Sequence, residues 1–361
     1  MKTLNILPAL ACLLMLMSGC EEKKIEQEPA LSELLPGWNI HQQALNFDIH
    51  LRDLFFLNAE TGYMAGYNGE IYKTTTAGTS WQKLNSGTTL HLQSIIFVSP
   101  NAGFAAGQGM SGCLGQDCGR GAPFLKTTDG GSSWSKSFFP DFISFEELVF
   151  FDESQGLALI TTLSGESLSQ TRLARTQDGG SNWDLLDLDI FSPLHKIHLV
   201  DGIVYLAGNG GIIHKSNDAG LSWEQIQTPV PAWSQVRKLY FYNQQIGFFD
   251  GNMQLHKTTN GGDQWQELQT PTAFNELGFV HFSSENEGFN LVPVFGHEGA
   301  GGQGDFFTYH GTVFYYTLDG GASWQAKGPI REFQYGKAHF PSRELGYISN
   351  GRILYRFEKR D

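Results

Sequence analysis

Basic residues are scarce in this sequence. Of 361 residues, 24 are Lys or Arg against 37 Asp or Glu, a formal net charge of −13. Nucleic-acid binding rests on clustered cations that displace counterions from phosphates, so no nucleic-acid partner is expected. Long apolar runs are also missing; the stretch from Leu4 to Met17 is too short to span a bilayer as a helix. No Gly-rich phosphate loop, nucleotide fingerprint or calcium loop occurs, and no cofactor or metal is expected. Cysteine is limited to Cys12, Cys20, Cys113 and Cys118. What the chain has instead is 43 glycines and 13% aromatics, a composition that favours many short strands joined by tight turns.

One octet organises the chain. Thr127 to Trp134 reads Thr-Thr-Asp-Gly-Gly-Ser-Ser-Trp, and it returns at Thr176 to Trp183, Ser216 to Trp223 and Thr317 to Trp324. Weaker copies at Thr74 to Trp81 and Thr258 to Trp265 carry Thr76 and Asn260 where the others have Asp129, Asp178, Asp218 and Asp319. Such an octet is a hairpin corner. The Asp side chain bonds nearby backbone N–H groups, Gly takes the positive-φ position, and Trp opens the next strand with a large apolar face. The Asp residues, and Trp81, Trp134, Trp183, Trp223, Trp265 and Trp324, therefore read as architecture rather than as catalytic groups.

A second piece precedes each corner. Phe56, Phe97, Phe150, Phe241, Phe282 and Phe340 are each followed six residues later by Gly, usually with an aromatic next to it. Each unit then reads as four short strands, the third ending in Lys73, Lys126, Arg175, Lys215 or Lys257 just before the corner. Four antiparallel strands per repeat of this length predict a β-propeller blade. The fold class is thus all-β, a propeller of seven four-stranded blades with inner strands near Phe56, Phe97, Phe150, Leu199, Phe241, Phe282 and Phe340. The last unit lacks a fourth strand, and the segment around Trp38 resembles one. Trp38 is expected to complete that blade and close the ring, removing an open sheet edge.

These corners resemble the Asp-box, or bacterial neuraminidase, repeat. The whole unit is similar to the propellers of the photosystem II stability and assembly factor family. That resemblance covers nearly everything after Trp38 and implies a lumenal or periplasmic scaffold that binds another protein. It implies fold more strongly than activity.

The N-terminus resembles a bacterial lipoprotein signal, with Lys2, the apolar run, and Ser18-Gly19 before Cys20. Residues 1–19 are then the signal, Cys20 the acylated first mature residue, 20–36 a flexible tether and 37–361 the propeller. An ordinary secretory signal is the alternative. The implied location is the bacterial cell envelope, lipid-anchored to the outer membrane, with a monomeric propeller. In an exported protein the close pair Cys113 and Cys118 reads as a disulfide stapling a Gly-rich loop.

Trp-to-Trp spacing varies, and the excess falls between second and third strands, at Gln108 to Pro123, Leu163 to Thr171 and Gly296 to Gly311. Strand alternation puts these insertions at the end opposite the corners, beside the connections between blades. They are expected to face one another around one mouth of the channel as a binding face. The aromatic and polar candidates for it are Trp233, Phe138, Phe139, Phe142, His297, Asp305, Phe306, Phe307, Tyr309 and His310. The competing reading folds these rings back as local core. The spacing of His297 and His310 matches no metal template. Candidate channel residues are Arg52, Glu146, Arg237 and Glu276, with Asp53, Glu147, Arg331 and Tyr335 nearby. A protein partner is the expected ligand. A glycan, or sialidase-like glycoside hydrolysis by paired carboxylates, is the alternative, although the Phe/Tyr-Arg-Ile-Pro signature of sialidases is absent.

Overall fold

Side-chain oxygens build the corners. Thr127 Oγ1 donates to Asp129 Oδ1 (2.8 Å) and accepts the Gly131 N–H (2.9 Å). Asp129 in turn accepts the Ser133 N–H (2.9 Å) and its hydroxyl (2.6 Å). The same closure recurs at Asp178, Asp218 and Asp319. Asn260 and Thr76 supply a neutral oxygen for it, accepting the N–H of Gln264 and Ser80. Hydrogen bonds to the charged form, first that from the Ser133 hydroxyl, hold the Asp129 carboxyl down at about 2. Gly130 sits at φ 69°, while Ala77 and Ala219 take the equivalent left-handed position at φ 55° and 57°.

The spacing between Phe and Gly has an equally local cause. The Phe97 ring lies over Gly103 so closely that a Cβ there would come within 2.5 Å of it. The same ring stacks on Tyr63 of the preceding repeat (3.7 Å, 10°) and meets Trp134 edge-on at 6.1 Å. Phe104 with Phe150, Tyr205 with Phe241, and Tyr347 with Phe56 repeat that stack at 3.5–3.7 Å. Each repeating Phe is therefore the pin between two neighbouring sheets.

The computed structural model describes residues 30–109, 117–164, 168–187, 193–252, 254–269, 278–298 and 306–360. Strand β1 is Trp38–Ala44. The first full repeat gives β2 to β5 (Leu51–Phe56, Gly62–Gly66, Ile71–Thr74, Gln82–Leu84), and the second β6 to β9 (His91–Phe97, Gly103–Gln108, Ala122–Thr127, Ser135–Phe139). The third gives β10 to β13 (Phe142–Phe150, Gly156–Ser164, Leu168–Thr176, Asp184–Leu185), and the fourth β14 to β17 (Leu194–Val200, Ile203–Gly208, Ile212–Ser216, Glu224–Gln227). The fifth gives β18 to β21 (Leu239–Phe241, Gly247–Gly251, Gln254–Thr258, Gln266–Glu267), and the sixth β22 to β25 (Phe279–Phe282, Gly288–Glu298, Phe306–Thr317, Gln325–Ile330). The last has only β26 to β28 (Lys337–His339, Leu345–Ser349, Ile353–Lys359).

All pairings are antiparallel, within four-stranded sheets, except that β7 and β10 touch through Ser144↔Gln108 and fuse two repeats into one eight-stranded sheet. Strand β1 pairs with β28 from Trp38↔Lys359 to Ala44↔Ile353, so the two ends of the described chain share a sheet. The chain is an all-β propeller of four-stranded antiparallel blades.

Apolar residues gather between sheets. Among the described residues there are seven buried clusters, each drawing on two consecutive repeats, including one between the last repeat and the first. Burial of this kind, rather than hydrogen bonding, supplies the main drive for sheet-on-sheet packing. One expectation needs correcting here. The tether expected over 20–36 does not extend to its end: Leu31–Glu33 form a 3-10 turn, and Leu34 and Leu35 are 0% and 2% exposed in the cluster with Trp38 and Phe333. Two consecutive leucines favour burial over solvation.

The inner strands are also latched to each other by polar side chains. Asp53 accepts the Ile95 N–H (2.8 Å), Ser94 the Leu148 N–H (3.2 Å), and Glu147 the Ile197 N–H (3.4 Å). His198 accepts the Phe241 N–H (3.1 Å), Tyr240 the Phe282 N–H (3.3 Å), and His339 the Phe56 N–H (3.1 Å). His281 Nε2 lies 3.0 Å from the Arg343 carbonyl. Each link runs from one repeat to the next, and the link from His339 returns to the first.

Candidate functional site

Strand alternation brings the second-to-third-strand turns and the connections between repeats to one end of the molecule. A cleft of about 640 Å³ opens there. Its walls are the run from Asp48 to Arg52 leading into β2, Tyr67 in the β3–β4 turn, Pro293, Phe295 and Tyr309 of β23 and β24, Gln334 and Tyr335 before β26, and Asn350 and Arg352 between β27 and β28.

The insertion in the sixth repeat shapes this cleft. It was expected as a loop, but β23 and β24 stay paired out to Glu298↔Phe306. Strand β22 covers β23 only up to Leu291, and β25 covers β24 only from Thr312, so the outer half is a two-stranded ribbon. The third-repeat insertion is likewise an extended hairpin, paired to Ser164↔Leu168. The sixth-repeat ribbon forms its cleft with the last and first repeats. That differs from the expected arrangement, in which the insertions of the second, third and sixth repeats surround one mouth.

Most polar groups in the cleft are already engaged. Tyr309 donates to the Phe333 carbonyl, the Asn350 amide donates to Gln334 (2.6 Å), and Arg352 is paired with Asp48 at 3.0 Å. Burial pushes the Tyr335 phenol up to about 12. Tyr67 is stacked on His91 at 4.1 Å and 10°, and the Arg52 guanidinium lies 5.6 Å from its centroid. Burial first, and then the Arg52 charge, lower the His91 pKa, and its Nδ1 accepts the Asn68 N–H (3.1 Å). Arg52 Nε donates to Gln93. Phe295 is the large apolar side chain left open, 56% exposed.

The sequence candidates divide. Trp233 is 75% exposed on the connection between the fourth and fifth repeats, and Tyr309 lines the cleft. Phe139 and Phe142 are not part of an open face. They pack around Phe145 at 5.4–5.6 Å, because an apolar core lies within reach beneath them. Phe138 is covered by Arg120 (4.3 Å) and Lys136 (5.9 Å), both bridged to buried Asp117. His310 Nε2 is buried and has no hydrogen-bond partner among the described residues. Asp305, Glu276, Cys20 and Cys113 lie outside the described residues, as do the side chains of His297, Phe306 and Phe307. Of the expected pair, Cys118 is the described member.

The channel candidates do not form one constellation. Glu146 accepts from Ser144 and from Thr161 (2.9 Å), and Arg237 Nε donates to Gln235 (2.6 Å), each within its own repeat. Glu147 is bound to Lys196. Asp53, raised to about 6 by burial and held back by the Ile95 N–H, is committed to its latch. Among the described residues, no group of three or more His, Cys, Asp or Glu could hold a metal, and no helix is long and apolar enough to cross a membrane.

No family model matches the chain. A stretch of 157 residues, 42% of this chain, is 26% identical to the photosystem II assembly lipoprotein Ycf48 of Synechococcus sp. (strain CC9902). The chain is homologous to Ycf48. The match spans 41% of that relative's length. Among solved structures, YCF48 bound to D1 peptide superposes with a TM-score of 0.67 at 18% identity, over 92% of this chain and 99% of that one. YCF48 from Cyanidioschyzon merolae gives 0.62 at 15%, over 89% and 98%. A GH74 enzyme from Niastella koreensis gives 0.61 at 16%, over 86% of this chain and 53% of that one. At these identities the structural likenesses carry the fold alone.

The repeat pattern alone does not reveal the latch residues Ser94, His198, Tyr240, His281 and His339. A signal for them exists. A polar side chain stands one or three positions before each repeating Phe, and one before Leu199 in the fourth repeat.

Proposed function

We propose that this chain is a non-catalytic scaffold that holds a segment of a partner protein on its insertion face. It is a propeller of seven blades, a count supported by the seven inter-sheet clusters and by the latch that returns from His339 to Phe56. The observation that carries the function is the cleft between the sixth, seventh and first blades, with Phe295 exposed at its rim and nearly every polar wall group self-satisfied. Preformed clefts lined by aromatic side chains with a few fixed polar groups are the usual binding sites of rigid scaffolds. The neighbour described as YCF48 bound to D1 peptide, and a relative described as an assembly lipoprotein, support a peptide-like occupant. The described channel carboxylates are already engaged, Asp53 and Glu147 in links between blades and Glu146 within its own, which disfavours glycoside hydrolysis.

The same reading has Cys20 acylated and residues up to Leu31 tethering the propeller to the outer membrane in the cell envelope, as a monomer. Cys113 closes the disulfide with Cys118. The test is affinity capture from native membranes with Phe295→Ser and Trp233→Ala variants of the full chain. Loss of one partner band in Phe295→Ser, with an unchanged melting temperature, is expected. Equal recovery of that band in both variants would remove the cleft from the account.

A further inference from the structure

Resting on the scaffold reading, we infer that Arg52 is the anchor for a carboxylate carried by the bound segment. Arg52 lines the cleft. Its Nε is committed to Gln93 and its guanidinium is held against Tyr67, so the fork is fixed from one side. Among the described residues, its two terminal nitrogens have no partner and no carboxylate lies within ion-pair distance. The contrast within the same cleft is Arg352, neutralised by Asp48. A pre-oriented guanidinium matches a carboxylate bidentately, with two parallel charge-assisted hydrogen bonds.

Sugar stacking is disfavoured by the same geometry. Tyr67, the ring beside Arg52, already has His91 against one face and Arg52 near it. The chain as a whole is acidic, with 37 acidic residues to 24 basic. A cation left without a carboxylate partner here is therefore selective for an anionic group, since the rest of the surface repels one. Phe295 and Pro293 on the facing ribbon supply an apolar neighbour, so the chemistry recognised is a carboxylate next to an apolar residue. That carboxylate comes from an acidic side chain or from a chain terminus.

Three capped probes separate these sources: N-acetyl-Phe-Asp-amide, N-acetyl-Phe-Ala with a free terminus, and N-acetyl-Phe-Ala-amide with no carboxylate. Titration calorimetry against the full chain is expected to show at least one carboxylate probe binding tenfold or more tighter than the neutral one. Arg52→Gln should erase that difference. Arg52→Lys, which keeps the charge without the fork, should restore only part of it. Equal binding of all three probes, no saturable binding of either carboxylate up to millimolar, or full binding by a folded Arg52→Gln chain would each overturn the inference. Capture of a membrane partner that survives Arg52→Gln but not Phe295→Ser would refute the carboxylate anchor and leave the scaffold standing. Capture of nothing by the unmodified chain would instead refute the scaffold.

Discussion

Replacing Gly103 with alanine tests whether the repeating Phe pins the sheets together. An added Cβ would meet Cδ1 and Cε1 of Phe97 at 2.5 Å and Cζ at 2.6 Å, about an ångström inside ordinary contact. The ring has nowhere to go. It is 3% exposed, stacked on Tyr63 at 3.7 Å, and bounded by Trp134 at 6.1 Å. Overpacking of this kind costs about 1–3 kcal/mol, so urea unfolding should show a loss of roughly 2 kcal/mol, a fall in Tm of about 4–8 °C at most. Phe97→Leu alone should cost about 1–2 kcal/mol through lost burial. In the double variant the clash has no ring to strike, so the two costs should fall short of their sum by about 1–2 kcal/mol. Gly202→Ala is the control, because nothing lies within 4 Å of its Cβ and only φ +81° opposes it. It should cost about 1 kcal/mol, with no coupling to Phe97. If Gly103→Ala unfolds within 0.5 kcal/mol of the parent, or if the pair is additive, the pinning argument is wrong.

Three further outcomes follow from the same structure. Burial lowers His198, His281 and His339 to about 4 against an unfolded value near 6.5. The folded state then binds fewer protons, so their contribution is full above pH 6.5 and is lost as pH falls towards 4, up to roughly 3 kcal/mol for each. Asp53, raised to about 6, works the other way, its contribution being present below 3.8 and lost as pH rises through 6. Urea midpoints should therefore drop between pH 6.5 and 4, less steeply in His339→Gln, and a flat profile would contradict the buried latch. Trp38→Ala removes a side chain 4% exposed that touches His281, Phe289 and Phe340 at 5.5–6.2 Å. It should cost about 3–5 kcal/mol and expose the last repeat to limited proteolysis, so protection equal to the parent's would refute closure by β1. Lys73→Met removes the bond from Nζ to the Gly130 carbonyl of the next repeat (2.8 Å) and should lower stability by about 1 kcal/mol with an unchanged m-value.

Local rules and repetition made the frame readable. The Asp-Gly-Gly corner needs only its own octet to close, so Asp129 and Trp134 could be assigned from spacing. The partner of β28 was legible because a repeat lacking its last strand left one place for Trp38 to go. Residues whose environment comes from elsewhere in the chain were not legible. Phe139 and Phe142 look like surface aromatics until Phe145 and Trp183 are placed beneath them. Leu34 and Leu35 sit in a polar tract and read as tether until blade packing offers them a core. The cleft joins residues 48–52, 67, 293–309 and 334–352, and no local pattern links those segments. The sixth insertion reads as a loop because its Gly content masks a run of strand residues, Val294 to Glu298, that pairs with Phe306 to Gly311.

The claim on which the account turns is that the cleft face, not the corner face, meets the partner. A photo-crosslinking residue placed at Phe295, and separately at Leu221 on an exposed corner (66% exposed), reads that difference in native membranes. The account predicts one discrete crosslinked protein from position 295 and none from position 221. The same product from both positions, or a product from 221 alone, would contradict it.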